Sequence, residues 1–367
     1  MSIESTLRKE GIEVIKELDT LRVNSIAQRI TNRLCSAFPE HCFSREDLFA
    51  SFARLHMFHA KMTDSLCGAK YFYKNNSIYF NIDYSLSQVD VFALHECIHY
   101  LQEVKNENGN LIRLGLYDFT CDNGIALNEA AVQLMTSEAL GENVQEANYY
   151  NLQLATPSPD YYPLECAIVR QMSYFTGTYP LYYSTLHGND VFKNTFITIA
   201  GEKAFYLIEN NLDKMMQLES ELSCYSELLR NYNGSNRKIK KLKYLIERTK
   251  KEISNLFLSC QNTIISFCFS KELKNIRNLE NVIELKNKLY KFKDYIATND
   301  SYSFYNNFYC NMMESLEEKR KYIEEHGPYD FKEVLTSDIT VVSNARKSIS
   351  LLRRMLYRFG LLGQRDF

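Results

Sequence analysis

Between Gly201 and His326 the chain carries one further glycine, Gly234, and no proline. These residues end helices, so a stretch this poor in them is expected to fold as long helices. The segment "NYNGSN" at 231–236 interrupts the stretch and marks the turn of an antiparallel helical hairpin. Beyond it Ile239, Leu242, Ile246, Ile253 and Leu256 recur at 3–4 spacing, with Thr249 in the missing slot. The run 237–251, "RKIKKLKYLIERTKK", holds eight basic residues and one acid. Its apolar positions keep the seam, so the lysines are expected on the solvated face of the hairpin.

All six prolines lie at 39, 157, 159, 163, 180 and 328. Residues 1–60 also read as helices, broken near "FPEHCFS" at 38–44, where Ser44 is placed to cap the next one. Strand signal is concentrated in "AKYFYKNNSIYFNIDY", 69–84, two aromatic runs flanking the turn Lys74-Asn75-Asn76-Ser77. Within it "SIYFNI" alternates Ile78, Phe80 and Ile82 against Tyr79 and Asn81, the pattern of a half-buried edge strand. Ser87 then reads as the cap of a helix reaching about Val104, and a second helix runs from Asp122 or Asn123 to Leu140, closed by Gly141. Residues 148–163 read as an aromatic, proline-bearing loop. The expected fold class is mainly α (α+β). A helical region at 1–60 precedes a core at 61–185 with a small β-hairpin, and a large helical region at 186–367 follows.

The formal charge of −2 over 367 residues selects neither nucleic acid nor an anionic membrane. The longest apolar runs, such as "TIISFCF" at 263–269, are too short to span a bilayer. Ten scattered cysteines with no C-x-x-C pair suit a reducing compartment. The first residues lack the basic start and apolar core of a secretory signal. A cytoplasmic chain is expected, although export without a leader would look the same.

Chemistry concentrates in "ALHECIHYLQ", 93–102. At about 100° per residue, His99 falls about 40° from His95 on a helix and Glu96 about 100° from it. Val89, Ala93, Leu94, Cys97, Tyr100, Leu101 and Val104 gather on the opposite side. One face packs while the other presents two imidazoles and a carboxylate, and buried polar groups without partners are costly. Two histidines four apart on one helix can share a metal ion. The metzincin arrangement would need Gly at 102 and His at 105, where this chain has Gln102 and Lys105. Glu103 lies about 12 Å along the helix from His95, too far to share an ion with both histidines. Glu129, 30 residues after His99 in "GIALNEAAVQLMTSEALG", is better placed, because Ala126, Ala130 and Ala131 let its helix approach the first closely. Asp118, Asp122 and Glu138 are the competing carboxylates. His56 and His59, three apart in "ARLHMFHAKM", lack a nearby carboxylate and read as ordinary helix residues.

His95-Glu96-x-x-His99 followed by Asn128-Glu129-Ala130-Ala131 resembles the gluzincin zinc metallopeptidases, over about 70–141. The resemblance implies Zn²⁺ on His95, His99 and Glu129, Glu96 as general base, and hydrolysis of peptide bonds in a peptide or protein substrate. It departs at Gln133, where the family carries an aspartate that polarises a ligand imidazole. Gluzincins add a histidine, tyrosine or arginine for the oxyanion. His187 is the leading candidate, followed by Tyr161, Tyr162 and Tyr179, while Arg113 and Arg170 cannot be placed. The hairpin at 69–84 would supply either an edge strand for extended substrate or simply a cover for the core. The rival expectation is a zinc-bearing or metal-free interaction protein with a vestigial site, whose helical hairpin meets a protein partner.

Overall fold

The computed structural model describes residues 3–63, 67–84, 86–121, 123–232, 234–299 and 304–328. Asp122, the side chain of Ser87 and the part of 186–367 beyond 328 fall outside the described residues. The described residues are mainly helical, with three small sheets among them. It divides into two units, one of Met1–Glu272 with Tyr290–Tyr309, the other of Leu273–Leu289 with the chain from Cys310 onward. Among the described residues no helix is long and apolar enough to cross a membrane.

The first unit opens with helix α1 (Ile3–Lys9), strand β1 (Ile12–Glu17), α2 (Thr20–Ala37), α3 (Arg45–Phe52) and β2 (His56–Met62). Helices were expected throughout 1–60, so β1 and β2 are corrections. Gly11, at φ +74°, ends α1, and a Cβ there would press on the Thr63 side chain. The apolar residues of "IEVIKE" mislead, because only Ile12 is buried while Val14 and Ile15 remain exposed. His56 and His59 therefore lie on a strand. Ser44 caps α3 as expected, its hydroxyl accepting from Asp47 N at 3.2 Å.

Strands β3 (Ala69–Phe72) and β4 (Ser77–Asn81) form the anticipated hairpin. The sheet order is β1-β2-β4-β3, with β2 and β4 parallel and the other pairs antiparallel. "SIYFN" is thus an interior strand buried along its whole length, and the edges are β1 and β3. Leu7, Ile12, Ala60, Met62, Phe72 and Tyr79 form one cluster on this sheet.

Helix α4 (Leu86–Leu101) stops before Val104, which joins β5 (Glu103–Lys105), β6 (Leu111–Leu114) and β7 (Tyr117–Asp118) in a small antiparallel sheet. Helix α5 (Ile125–Leu140) follows and closes at Gly141, φ +73°, as anticipated. Residues 145–156 were read as loop in part, yet β8 (Gln145–Tyr149) and β9 (Leu152–Thr156) pair there. Their turn residues Tyr150 and Asn151 both take positive φ, the geometry of a two-residue hairpin turn more often signalled by Asn-Gly.

Helices α6 (Pro163–Thr176), α7 (Thr178–His187), α8 (Val191–Ala200), α9 (Glu202–Asn231) and α10 (Asn236–Asn275) come next. Lys214 on α9 pairs with Glu252 on α10 at 2.7 Å, and Asn211 donates to Ser259 at 3.3 Å, so the two helices run antiparallel. Ile246, Thr249 and Ile253 are buried along the seam, while Lys240, Lys241, Lys243 and Lys251 face solvent. In the second unit, Val282, Leu285 and Leu289 of α11 (Leu279–Phe292) and Met312, Leu316 and Ile323 of α12 (Phe304–His326) are buried.

One buried contact sets a pH dependence. The carboxyl of Glu165 on α6 is buried, and the carboxyl of Glu219 on α9 faces it, with Tyr150 beside Glu219. Burial pushes Glu165 well above the carboxylate range and lifts Glu219 to about 7. Raised acid pKa values mean that the folded chain binds more protons than the unfolded one. The contribution of Glu219 to stability therefore falls as pH rises from the ordinary value of 4.5 towards 7, and its own deficit is full above that. Glu219→Gln is expected to stabilise the chain by about 1–3 kcal/mol at pH 8 and hardly at all at pH 4. Thermal unfolding at both pH values checks this, and an equal gain at each would refute the account.

Candidate metal centre

Helices α4 and α5 lie antiparallel, since His95 meets Gln133 while Gln102, nearly two turns further along, meets Asn128. The small residues Ala126, Ala130 and Ala131 are all fully buried, which is how α5 comes close enough. Burial extends round the ligand side of α4, where Phe92, Glu96 and His99 are enclosed.

His95 Nε2 and His99 Nε2 stand 3.1 Å apart, and Glu129 Oε2 lies 3.3 Å from the first and 3.5 Å from the second. Ligand atoms at the corners of a tetrahedron with metal distances of about 2.0–2.1 Å are separated by about 3.3 Å. Among the described residues this is the one group of three or more His, Cys, Asp or Glu side chains close enough to hold a metal ion. The competitors stand elsewhere: Glu138 accepts from the Tyr182 hydroxyl at 2.7 Å, and Asp118 accepts from Thr120. Glu103 belongs to β5 and accepts from the Tyr71 hydroxyl at 2.7 Å.

The tautomers follow from the surrounding bonds. Leu116 N–H donates to Asn128 Oδ1 at 3.0 Å, which fixes the orientation of that amide. Asn128 Oδ1 then accepts from Gln102 Nε2 at 3.0 Å, so Gln102 Oε1 faces His99 Nδ1 at 2.9 Å. His99 must therefore donate from Nδ1 and keep a lone pair on Nε2. Gln133 Oε1 lies 3.0 Å from His95 Nδ1, placed to accept from it and leave Nε2 facing the triad. Two lone pairs and a carboxylate thus converge, a donor set that fits a divalent cation of the transition series. Without such an ion protons take its place. Burial alone would lower His99, yet the Glu129 and Glu96 carboxylates lift it to about 9. Burial alone would raise Glu129, yet the imidazoles hold it well below the usual carboxylate range.

Glu96 is buried beside the triad, and its Oε2 accepts from Tyr71 N on the edge strand β3 at 2.6 Å. No hydrogen bond holds its other oxygen among the described residues. Tyr162, a lesser candidate from the sequence, reaches the centre: its ring lies 6.3 Å from that of His95, nearly parallel. Its backbone takes φ 50°, ψ 44° at the start of α6, where Pro163 opens the helix, and this turns the ring inward. The leading candidate, His187, is exposed at the end of α7, its ring tilted against that of Tyr183 at 4.5 Å. Tyr161 packs edge-on against Phe92, and Tyr179 stacks on His41. Arg113 pairs with Asp190, and Arg170 donates to Ala155 O. The supports Gln102 and Asn128 were missed, because their partners are defined only once the chain has folded back. Gly115 carried a faint signal: at φ +55° it passes so close to Gln102 and Asn128 that a Cβ would collide with both amides.

No protein-family model, curated sequence or solved structure matches this chain.

Glu129→Ala is expected to strip the purified chain of bound metal, whereas Glu138→Ala retains it; equal metal content in the two would sink the ligand assignment. Gly115→Ala, by displacing the amides behind His99, is expected to weaken metal binding by about 10–100-fold, read by competition with a chelator. An unchanged affinity would show that the amides do not support the ligand.

Proposed function

We propose that the chain is a zinc-dependent peptidase of the gluzincin type. The observation that carries the reading is the convergence of His95, His99 and Glu129, with Glu96 one residue along the same helix and buried beside them. Held by His95, His99 and Glu129, zinc would supply a Lewis acid and lower the pKa of a water. Glu96 accepts that water's proton and passes it to the leaving amine. Its bond from Tyr71 N orients the carboxylate without neutralising it, so one oxygen stays available. The negative charge of Glu129, burial and the charge of Glu96 push the Tyr162 phenol well above its ordinary value, so it remains a donor at neutral pH. Tyr162 in this reading donates to the developing oxyanion, the role first assigned to His187. Extended substrate lies along the outer edge of β3, beyond the N–H that Glu96 occupies.

Purified protein is expected to hold close to one zinc per chain, lost in His95→Ala and His99→Ala. Glu96→Gln keeps the ion and lowers hydrolysis of a peptide library by about 10²–10⁴-fold. Tyr162→Phe keeps the ion and lowers kcat by about 10²–10³-fold with little change in KM. Full turnover in Glu96→Gln would remove the proposed base, and absence of cleavage by zinc-loaded wild type would leave the triad as a binding site in a non-catalytic protein.

A further inference from the structure

The helix that carries Glu129 does not cap itself. Gly124 stands at the N-cap of α5 and offers no side chain. The first N–H groups of a helix need acceptors, and an uncapped first turn frays. Here the acceptor comes from α9. Asp213 Oδ2 takes the Gly124 N–H at 2.6 Å, and Oδ1 takes the Ala126 N–H at 2.7 Å. Each carboxylate oxygen has one backbone donor, and the charge sits at the positive end of the helix. Glu209, one turn earlier on α9, flanks the same point; a Cβ on Gly124 would lie 3.3 Å from its Oε1, and φ there is +115°. Glycine is what lets α9 come this near.

The turn held by Asp213 carries the supports of two ligands. It closes with Asn128 N donating to Gly124 O at 3.0 Å. Asn128 orients Gln102, and Gln102 holds His99 Nδ1. Glu129 is the next residue. A first turn that frays therefore releases Glu129 directly and His99 through two amides.

We propose that Asp213 is a positioning residue for the metal centre, fixing the first turn of α5 and through it Glu129 and His99. The proposal rests on the reading of His95, His99 and Glu129 as metal ligands. It adds that the long helix α9, which supplies no ligand, sets how tightly the ion is held.

The test uses the full chain stripped of metal. Zinc affinity is measured by competition with a chromophoric chelator, and protection of the Gly124 and Ala126 amides by hydrogen exchange. Asp213→Ala is expected to weaken zinc binding by about 10-fold or more and to speed exchange of those amides selectively. Asp213→Asn keeps one acceptor oxygen and falls between it and wild type, which also serves if the alanine variant folds poorly. Leu222→Ala, a buried truncation further along α9, lowers thermal stability and is expected to leave zinc affinity unchanged. Wild-type affinity in both Asp213 variants, or an equal loss in Leu222→Ala, overturns the proposal. If wild type takes up no zinc, the metal reading fails by itself and exchange decides this one. Selective deprotection of the first turn in Asp213→Ala then supports Asp213 as the positioning residue for Glu129 and His99 alone, and unchanged protection overturns even that.

Discussion

Two imidazole lone pairs and a carboxylate, enclosed within 3.5 Å of one another, cannot be left without positive charge between them. Desolvated groups of one polarity are among the most costly things a protein can bury. Much of the architecture answers that constraint. Alanines on α5 bring the helices together, neutral glutamines hold both Nδ1 atoms, and a small three-stranded sheet occupies the connection so that Leu116 N–H can orient the amides. Glutamine in place of a carboxylate behind each histidine keeps further negative charge out of the cage. Glu96 then remains the other acid buried beside the three converging groups.

The parts of this site that lie on one helix face were legible in the sequence. His95, Glu96 and His99 needed only helical periodicity, and Glu129 needed a second helix with small residues around it. The long helices were legible for a similar reason, since a stretch without breakers has few alternatives. Strands β1 and β2 were not. "IEVIKE" satisfies helical spacing as readily as strand spacing, and β2 is defined by a parallel partner twenty-one residues on, His56 opposite Ser77. The edge was misplaced because alternation in "SIYFN" says which residues face which side and nothing about what lies beside the strand. Interior position buried both faces.

Tyr162 and His187 show the same limit at the site itself. Both are aromatic, polar-tipped residues downstream of the motif, and sequence spacing cannot rank them. Their difference arises from a single left-handed residue ahead of Pro163, which turns one ring inward, and from the end of α7, which leaves the other in solvent. Tyr71 contributes through its main chain alone, so no substitution pattern or motif would have marked it. Its N–H joins the sheet edge to the carboxylate of the motif helix.

The cap on α5 also bears on the order in which the protein is made. His95, His99 and Glu129 leave the ribosome within one short segment, whereas Asp213 is separated from Ala126 by 87 positions. At synthesis rates of about 5–20 residues per second, several seconds pass between the appearance of Glu129 and that of the residue which caps its helix. During that interval the nascent chain has His95 and His99 on α4 and Glu129 on an α5 whose first turn lacks its acceptor. If Asp213 positions the centre, its assembly waits until the first half of α9 has emerged, and a chain truncated before residue 213 has the motif without the acceptor for the first turn of α5.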